Sequence, residues 1–198
     1  MEIAEAKNLY QERFQEFEKG LAGNGQSWAL ATRREAISRF AEMGFPTPRH
    51  EEWKYTNVAP IAQIPFRPAG RGRNGIQPET LGRLPFGSLT ANRLVFLNGR
   101  YSRELSDLRP VSNGLRVESL AAVLGKEPSV LEPYLARYAR YQDHSFVALN
   151  TAFIEDGAFV SIPSGKIVEE PIHLLFVSTA AGEATVSHPR NLILVGND

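Results

Sequence analysis

Three neighbouring residues carry the side-chain types of a hydrolase triad. Asp143, His144 and Ser145 supply a carboxylate, an imidazole and a hydroxyl, the groups that activate a serine nucleophile. A relay needs these side chains to converge, whereas consecutive side chains diverge by about 100° on a helix and alternate between the faces of a strand. We therefore expect capping of a helix by Asp143 or Ser145. A role for one of the three with distant partners stays open.

The segment from Gly70 to Gly75 has the spacing G-x-G-x-x-G of a dinucleotide-binding turn. In that turn the glycines let the backbone approach a pyrophosphate, so a strand must come before it and a helix after it. Instead, Pro65 and Pro68 precede the segment and Pro78 follows it. The context predicts a plain loop that binds no cofactor.

Histidines are spread along the chain without the spacing of a metal site. The four histidines are His50, His144, His173 and His188. They include no i, i+4 pair and no H-x-H, so the sequence predicts no metal ligand. His173 lies in an apolar run and is interpreted as a strand residue. His50 could bind a hard cation with Glu51 and Glu52, but those acids more simply pair with neighbouring Arg49 or Lys54.

Composition excludes several further kinds of site. The 198 residues contain no cysteine, which removes disulfides, thiolate nucleophiles and thiolate-ligated metal clusters. Glu169 and Glu170 would point to opposite faces of an extended chain, so they form no acid/base pair. We predict no catalytic, cofactor-binding or metal-ligating residue, and a protein that is not an enzyme.

Charge and hydropathy restrict the partners and the location. Lys and Arg together number 22, as do Asp and Glu, so net charge predicts no attraction to nucleic acid or anionic lipid. No apolar run approaches the about 20 residues that span a bilayer, and the first residues do not have the pattern of a signal peptide. The sequence therefore predicts a cytoplasmic protein.

Periodicity predicts two amphipathic helices at the start of the chain. Apolar residues recur at steps of three or four in two stripes, which comprise Ala6, Tyr10, Phe14, Phe17 and Leu21 in the first and Leu30, Ile37, Phe40 and Ala41 in the second. Ser27 is a candidate cap of the second helix, and Gly44 with the following Phe-Pro-Thr-Pro should end it.

The middle of the chain has a mixed pattern. Residues 94–97 predict a buried strand that ends in an Asn98-Gly99 turn, followed by a return segment or loop. Ser119 opens a short helix over 120–124, and apolar spacing predicts another helix over 129–141. These signals predict a modest α+β unit.

The last part of the chain is rich in short β runs, at 159–163, 173–178 and 191–195. Few hairpin signals separate them, which suggests stacked coils, but their irregular spacing by itself predicts only a β-rich tail. The chain ends at Asp198, directly after a strand and a Gly-Asn turn. A sheet would normally continue there, so we expect the chain to be cut short.

Trp53 and Tyr55 alternate with Lys54 and Thr56. In an extended segment this alternation gives one aromatic face and one polar face. We interpret the segment as a strap that pins the N-terminal helices to the rest of the domain. Contact with a partner protein is the alternative.

Three stretches carry a resemblance to a known family. Residues 48–57 match its R-x-E-x-W-K/R-Y-T pattern, residues 94–102 its strand with N-G-x-[FY]-S, and residues 148–174 a further run of its motifs. On these motifs the chain resembles the SufB/SufD family of iron–sulfur cluster assembly proteins. The resemblance covers most of residues 28–195, and the helical region before the first motif makes it closer to the SufD branch.

The resemblance implies both a fold and a function. It implies an α+β N-terminal helical domain, which we assign to residues 1–143, followed by the first coils of a right-handed parallel β-helix at residues 144–198. It also implies a scaffold subunit of a SufBCD-type complex, with a SufB-like paralogue and a SufC-like ATPase that docks on a C-terminal domain absent here. An open last coil should make the fragment self-associate.

Two alternatives belong to other classes of protein. A parallel β-helix carbohydrate-active enzyme would usually be secreted and expose clustered acids, whereas residues 145–198 contain few. An unrelated protein-binding module is the other alternative, and binding to Suf partners separates it from a scaffold subunit.

Overall fold

The structure is a computed structural model that describes residues 3–21, 27–70, 76–84, 92–110, 113–179 and 182–197. Within these ranges the α-helices are α1 (Ile3–Gly20), α2 (Ser27–Met43), α3 (Ala59–Ala62), α4 (Pro78–Gly82), α5 (Leu120–Lys126), α6 (Pro128–Leu131) and α7 (Ser145–Ala152), and a short 3-10 helix covers Glu51–Trp53. The strands are β1 (Arg67–Pro68), β2 (Asn92–Leu97), β3 (Arg100–Tyr101), β4 (Arg116–Ser119), β5 (Ala158–Ile162), β6 (Ile172–Val177), β7 (Thr185–Val186) and β8 (Leu192–Val195). None of the described helices is long and apolar enough to cross a membrane.

The chain folds into two compact units, each built from two separate stretches. The first unit comprises Met1–Arg67 and Leu124–Ile154, and the second comprises Pro68–Val123 and Glu155–Asp198. Distant parts of the sequence therefore complete each core. The division into domains 1–143 and 144–198 stays a prediction.

The first unit is helical and has an aromatic core. Tyr10 and Phe14 of α1 are buried against Phe40 of α2, as the predicted stripes require. Phe40 and Phe45 meet edge to face with ring centroids 5.2 Å apart, a geometry that the ring quadrupoles favour. Gly44 ends α2 with a φ of 67°, and its N–H donates to the Phe40 carbonyl oxygen over 2.7 Å. The predicted helix stop is therefore confirmed.

One buried charge in this core escaped the sequence analysis. Arg33 lies on α2 and is almost fully buried. Its Nε and Nη2 atoms donate to the carbonyl oxygen of Ile154 over 2.9 and 2.8 Å. These bonds tie α2 to the chain that follows α7, because a buried guanidinium needs acceptors in place of water.

The helix predicted over residues 129–141 is wrong. The structure has only α6, which ends at Leu131, followed by turns. Pro133 has no backbone N–H, and Ala136 has a φ of 62°, which no helical residue adopts. The helix was predicted from the spacing of apolar residues alone, which takes no account of these two interruptions.

The second unit contains two three-stranded sheets. In one sheet β2 pairs antiparallel with β3 and parallel with β6, and in the other β5 pairs antiparallel with β4 and parallel with β8. Leu94 and Phe96 of the first sheet pack with Val117 and Ala158 of the second. The sheets thus share one apolar core.

The start of a parallel β-helix predicted for residues 144–198 is wrong. These residues begin with α7, which belongs to the first unit. Their strands β5, β6 and β8 are divided between two small mixed sheets. Each sheet includes strands from earlier in the chain and one antiparallel pair, β2 with β3 or β4 with β5. The described residues form a small α+β fold with several small sheets and no solenoid. Short apolar runs predict that strands exist but not which strands they pair with.

Several local predictions are confirmed. The strand over 94–97 is part of β2, and Asn98 and Gly99, with φ of 52° and 82°, form the turn. Both central residues of such a two-residue hairpin turn need positive φ. Ser119 caps α5, because its Oγ accepts a hydrogen bond from the Ala122 N–H over 3.2 Å.

Candidate functional site

The signature segment of residues 48–57 is a compact turn. Its backbone N–H groups at His50, Trp53 and Thr56 donate to carbonyl oxygens three residues earlier. The aromatic and polar faces expected for an extended segment are therefore absent from it. Trp53 is half buried, whereas Tyr55 is 92% exposed.

Trp53 joins this turn to the core of the first unit. Its ring packs against Phe146 of α7, with centroids 5.3 Å apart, and it lies on the same apolar cluster as Phe40 and Phe45. This packing agrees with the interpretation of the segment as a strap. Contact with a partner protein stays a hypothesis.

A cleft opens beside Trp53 and has a volume of about 490 Å³. Its lining comes from α2, from the signature turn and from the start of α7, and consists of Arg39, Met43, Pro46, His50, Glu52, Trp53, Gln142, Asp143, His144, Ser145, Phe146 and Val147. Cavities of about 300–1,000 Å³ with an apolar lining and a few polar groups are typical of ligand sites. We therefore treat this cleft as the candidate site.

The three residues with triad chemistry lie at this cleft but form no relay. Asp143 pairs with Arg140 at 2.6 Å, and His144 Nδ1 lies 3.4 Å from Glu52 Oε2. His144 occupies the N-cap position of α7 and makes no side-chain cap bond. The prediction that Asp143 or Ser145 caps the helix is therefore wrong.

The histidines lie in four different environments. Nδ1 of His50 accepts a hydrogen bond from the Thr47 N–H over 3.0 Å, and His173 lies on β6, as predicted. Burial lowers the pKa of His188 to about 4, so this imidazole is neutral near pH 7. In the part of the chain that the structure describes, no three His, Asp or Glu side chains are grouped as metal ligands.

Two other sequence motifs have different outcomes. Residues 71–75, which form most of the G-x-G-x-x-G segment, lie outside the described residues. The second motif is the pair of acids Glu169 and Glu170, of which Glu170 forms an ion pair with Arg109 at 3.0 Å. That carboxylate is therefore engaged in a surface ion pair of the second unit.

A buried carboxylate in the second unit was also missed. Asp156 Oδ1 accepts hydrogen bonds from Ser119 Oγ and from the N–H groups of Ala121 and Gly157, over 2.8, 3.1 and 2.8 Å. Its Oδ2 accepts from the Tyr101 N–H over 2.7 Å. One side chain thus connects β3, β4 and β5. The available signal was an Asp-Gly pair directly before a strand.

The cleft itself could not be found from local patterns. Arg39 and Met43 are separated from residues 142–147 by about a hundred positions in the sequence, so only the packing of α7 against α2 brings them together. Its composition suits binding of a side chain or small molecule by an apolar wall and a polar rim.

Comparison with protein families gives one extensive match. Residues 4–174 match the family model described as the SufBD protein N-terminal region. The match includes all of the cleft, the signature turn and the buried Asp156.

Two curated proteins are similar to most of the chain. An iron–sulfur cluster assembly SufBD family protein of Synechocystis is 28% identical over 178 residues, which is 90% of this chain and 39% of that protein. The iron–sulfur cluster assembly protein SufD of Escherichia coli is 25% identical over 161 residues, 80% of this chain and 34% of that protein. The chain thus spans well under half the length of these relatives.

Proposed function

Because the chain belongs to the SufBD protein family, as its N-terminal region, we propose that it is a scaffold part of a SufBCD-type iron–sulfur cluster assembly complex. Membership of the family supports a role in the Suf system. The scaffold role and its action through protein–protein contacts are our proposal. The observation that carries it is the family match over residues 4–174.

The composition supports a non-catalytic role within that complex. A chain without cysteine cannot supply thiolates to an iron–sulfur cluster. We therefore assign no catalytic, cofactor-binding or metal-ligating residue to it and propose that the cluster chemistry takes place on companion subunits. The cytoplasmic location expected from the sequence is part of the same proposal.

The proposed partners are a SufB-like paralogue and a SufC-like ATPase. They follow from the resemblance to SufD and from the SufD relative. Co-purification of the tagged chain with each partner, expressed together and separately, tests this proposal. We expect the SufB-like paralogue to be retained at a stoichiometric amount. Retention of neither partner would contradict the scaffold role and favour an unrelated protein-binding module.

The Trp53→Ala substitution separates the strap from the interface. Because Trp53 packs on the core of the first unit, we expect its loss to lower the free energy of unfolding by about 2 kcal/mol. Urea denaturation followed by circular dichroism measures this change. Unchanged stability together with lost retention of the SufB-like paralogue would assign Trp53 to the interface instead. Tyr55→Ala is the matched control, since that ring is exposed.

We also propose that this chain self-associates through the second unit. Ile193 and Val195 on β8 are 55% and 67% exposed, and β8 is the last strand of its sheet in the described order. Apolar side chains on an unpaired strand edge favour association with another copy. Light scattering should give a mass that rises with protein concentration.

A pair of lysine substitutions controls this measurement. Ile193→Lys should keep the protein monomeric, because a charge on the edge strand opposes pairing. Ile167→Lys should behave as the wild type, since Ile167 is 90% exposed and lies outside the strands. A wild-type mass that stays monomeric at all concentrations would contradict self-association.

The alternative of a β-helix carbohydrate-active enzyme loses its basis. It depended on a solenoid, and the described residues form small mixed sheets instead. The family match also points to cluster assembly.

A further inference from the structure

We propose that the cleft beside Trp53 receives a basic side chain of a partner peptide, and that arginine is its preferred occupant. The inference rests on the proposed role as an interaction scaffold and names the chemistry of one contact that such a role would use. It concerns the first unit alone, where the whole cleft lies.

The wall of the cleft suits a long side chain with an apolar stem. Met43, Pro46 and Val147 contribute apolar surface, and the indole of Trp53 adds an aromatic wall. The ring of Trp53 is held in place by its contact with Phe146. An arginine side chain packs its methylene groups against such surface and stacks its planar guanidinium on an indole.

Two of the charged residues that line the cleft are already paired. Nε and Nη2 of Arg39 donate to the Gln142 carbonyl oxygen over 3.3 and 2.8 Å, and its Nη1 donates to Glu42. Asp143 pairs with Arg140 at 2.6 Å. With these two charged residues already paired, one carboxylate of the lining remains to attract a cation.

That carboxylate belongs to Glu52. Its Oε2 atom lies 3.4 Å from Nδ1 of His144, and this contact is an ion pair only when the imidazole carries a proton. The Glu52 side chain is largely exposed, so it can turn toward a bound cation at little cost. Glu52 and Trp53 both line the cleft, and a carboxylate and an indole at one site can bind a guanidinium through charge and stacking together.

The expected binding is weak. Glu52 lies beside the amino end of α7, where the helix dipole offsets part of its negative charge. Pairs between exposed charges also contribute little in water. We therefore expect a contact that adds to a larger interface and that a small ligand saturates only at high concentration.

Binding at the cleft can be measured through the fluorescence of Trp53 alone. The chain contains two tryptophans, Trp28 and Trp53, so the variant Trp28→Phe leaves Trp53 as the reporter. Titration with N-acetyl-arginine amide should give a saturable change in emission. N-acetyl-citrulline amide has nearly the same shape without the charge, and it should bind clearly more weakly. A larger response to N-acetyl-glutamate amide, or equal binding of arginine and citrulline, would overturn the proposal.

Neighbouring carboxylates provide the matched variants. Glu52→Gln should weaken binding of the arginine amide about threefold, as expected for loss of an exposed charge pair. Glu51→Gln removes the same charge from the preceding residue, which does not line the cleft. This substitution should leave the affinity for the arginine amide unchanged. Equal effects of the two substitutions would also overturn the proposal. If Trp28→Phe fails to fold, the indole N–H signals of isotope-labelled wild-type protein give the same titration.

The result is separable from the scaffold proposal. Arginine binding with no retention of Suf partners would support the cleft and contradict the scaffold role. Retention of the partners by the wild type, with no response of Trp53 to any of the amides, would contradict the cleft and leave the scaffold role supported.

Discussion

Replacement of Asp156 by alanine is expected to lower the free energy of unfolding by about 3–5 kcal/mol. Asp156 is 6% exposed, and its carboxylate accepts hydrogen bonds from one hydroxyl and three backbone N–H groups. Alanine would leave the two buried donors, Ser119 Oγ and the Gly157 N–H, and two part-buried N–H groups without this acceptor. Each lost partner costs about 1–3 kcal/mol when water cannot replace it. The damage should be confined at first to the second unit.

Urea denaturation followed by far-ultraviolet circular dichroism measures this loss. Fluorescence is unsuitable, because both tryptophans lie in the first unit. Asp143→Ala is the matched control: its carboxylate forms an exposed ion pair with Arg140, which contributes at most about 1 kcal/mol. Equal stability changes for the two alanine variants would contradict the assignment of Asp156 as a structural centre.

Asp156→Asn refines this prediction. The amide can keep the oxygen that accepts from Ser119, Ala121 and Gly157. Its NH2 group would then face the Tyr101 N–H, which is also a donor. We therefore expect a smaller loss than for alanine, of about 2 kcal/mol.

Replacement of Gly157 by alanine is expected to destabilise the second unit by about 3 kcal/mol or more. A Cβ on Gly157 would lie 1.9 Å from the Arg190 carbonyl oxygen, and the residue has a φ of 154°. The chain cannot easily move away, because the Arg190 N–H donates to the Asp156 carbonyl oxygen over 3.0 Å. The alanine variant must therefore break this contact or distort β5.

Gly125→Ala provides the control for the Gly157 variant. Gly125 lies in α5, and a Cβ added there would meet no atom within 4 Å. Alanine should stabilise the helix by about 0.5–1 kcal/mol, because glycine has more backbone freedom to lose. In urea denaturation followed by circular dichroism, the midpoint urea concentration should therefore fall for Gly157→Ala and rise for Gly125→Ala. A stable Gly157→Ala protein would show that the segment at Arg190 is free to move.

Signals carried by neighbouring residues predicted local structure well. The stripe of Tyr10 and Phe14 predicted the buried face of α1, and Gly44 predicted the end of α2. The Asn98-Gly99 pair predicted a tight turn, since both residues accept positive φ. Where a local interruption competed with periodicity, as at Ala136, the helix predicted from spacing was wrong.

The resemblance read from short motifs predicted the family correctly, since residues 4–174 match the SufBD N-terminal region. It did not predict the arrangement of the strands. The runs at β5, β6 and β8 were expected to stack as coils. Instead β5 pairs with β4 and β6 pairs with β2, both from earlier in the chain, while β8 pairs with β5. The residues of a strand determine which side chains lie on each face of the sheet, but they do not determine which other strands it pairs with.

The sequence by itself determined the helices α1, α2 and α5, the strands β2, β5, β6 and β8, the absence of thiol chemistry and the family. Only the tertiary structure decided that Asp156 joins three strands, that Arg33 binds the Ile154 carbonyl oxygen, and that Glu52 and Trp53 line a cleft with residues 142–147. The physical reason is that helix and turn preferences arise within a few residues. Buried hydrogen bonds and cavities depend on side chains that meet across long stretches of chain.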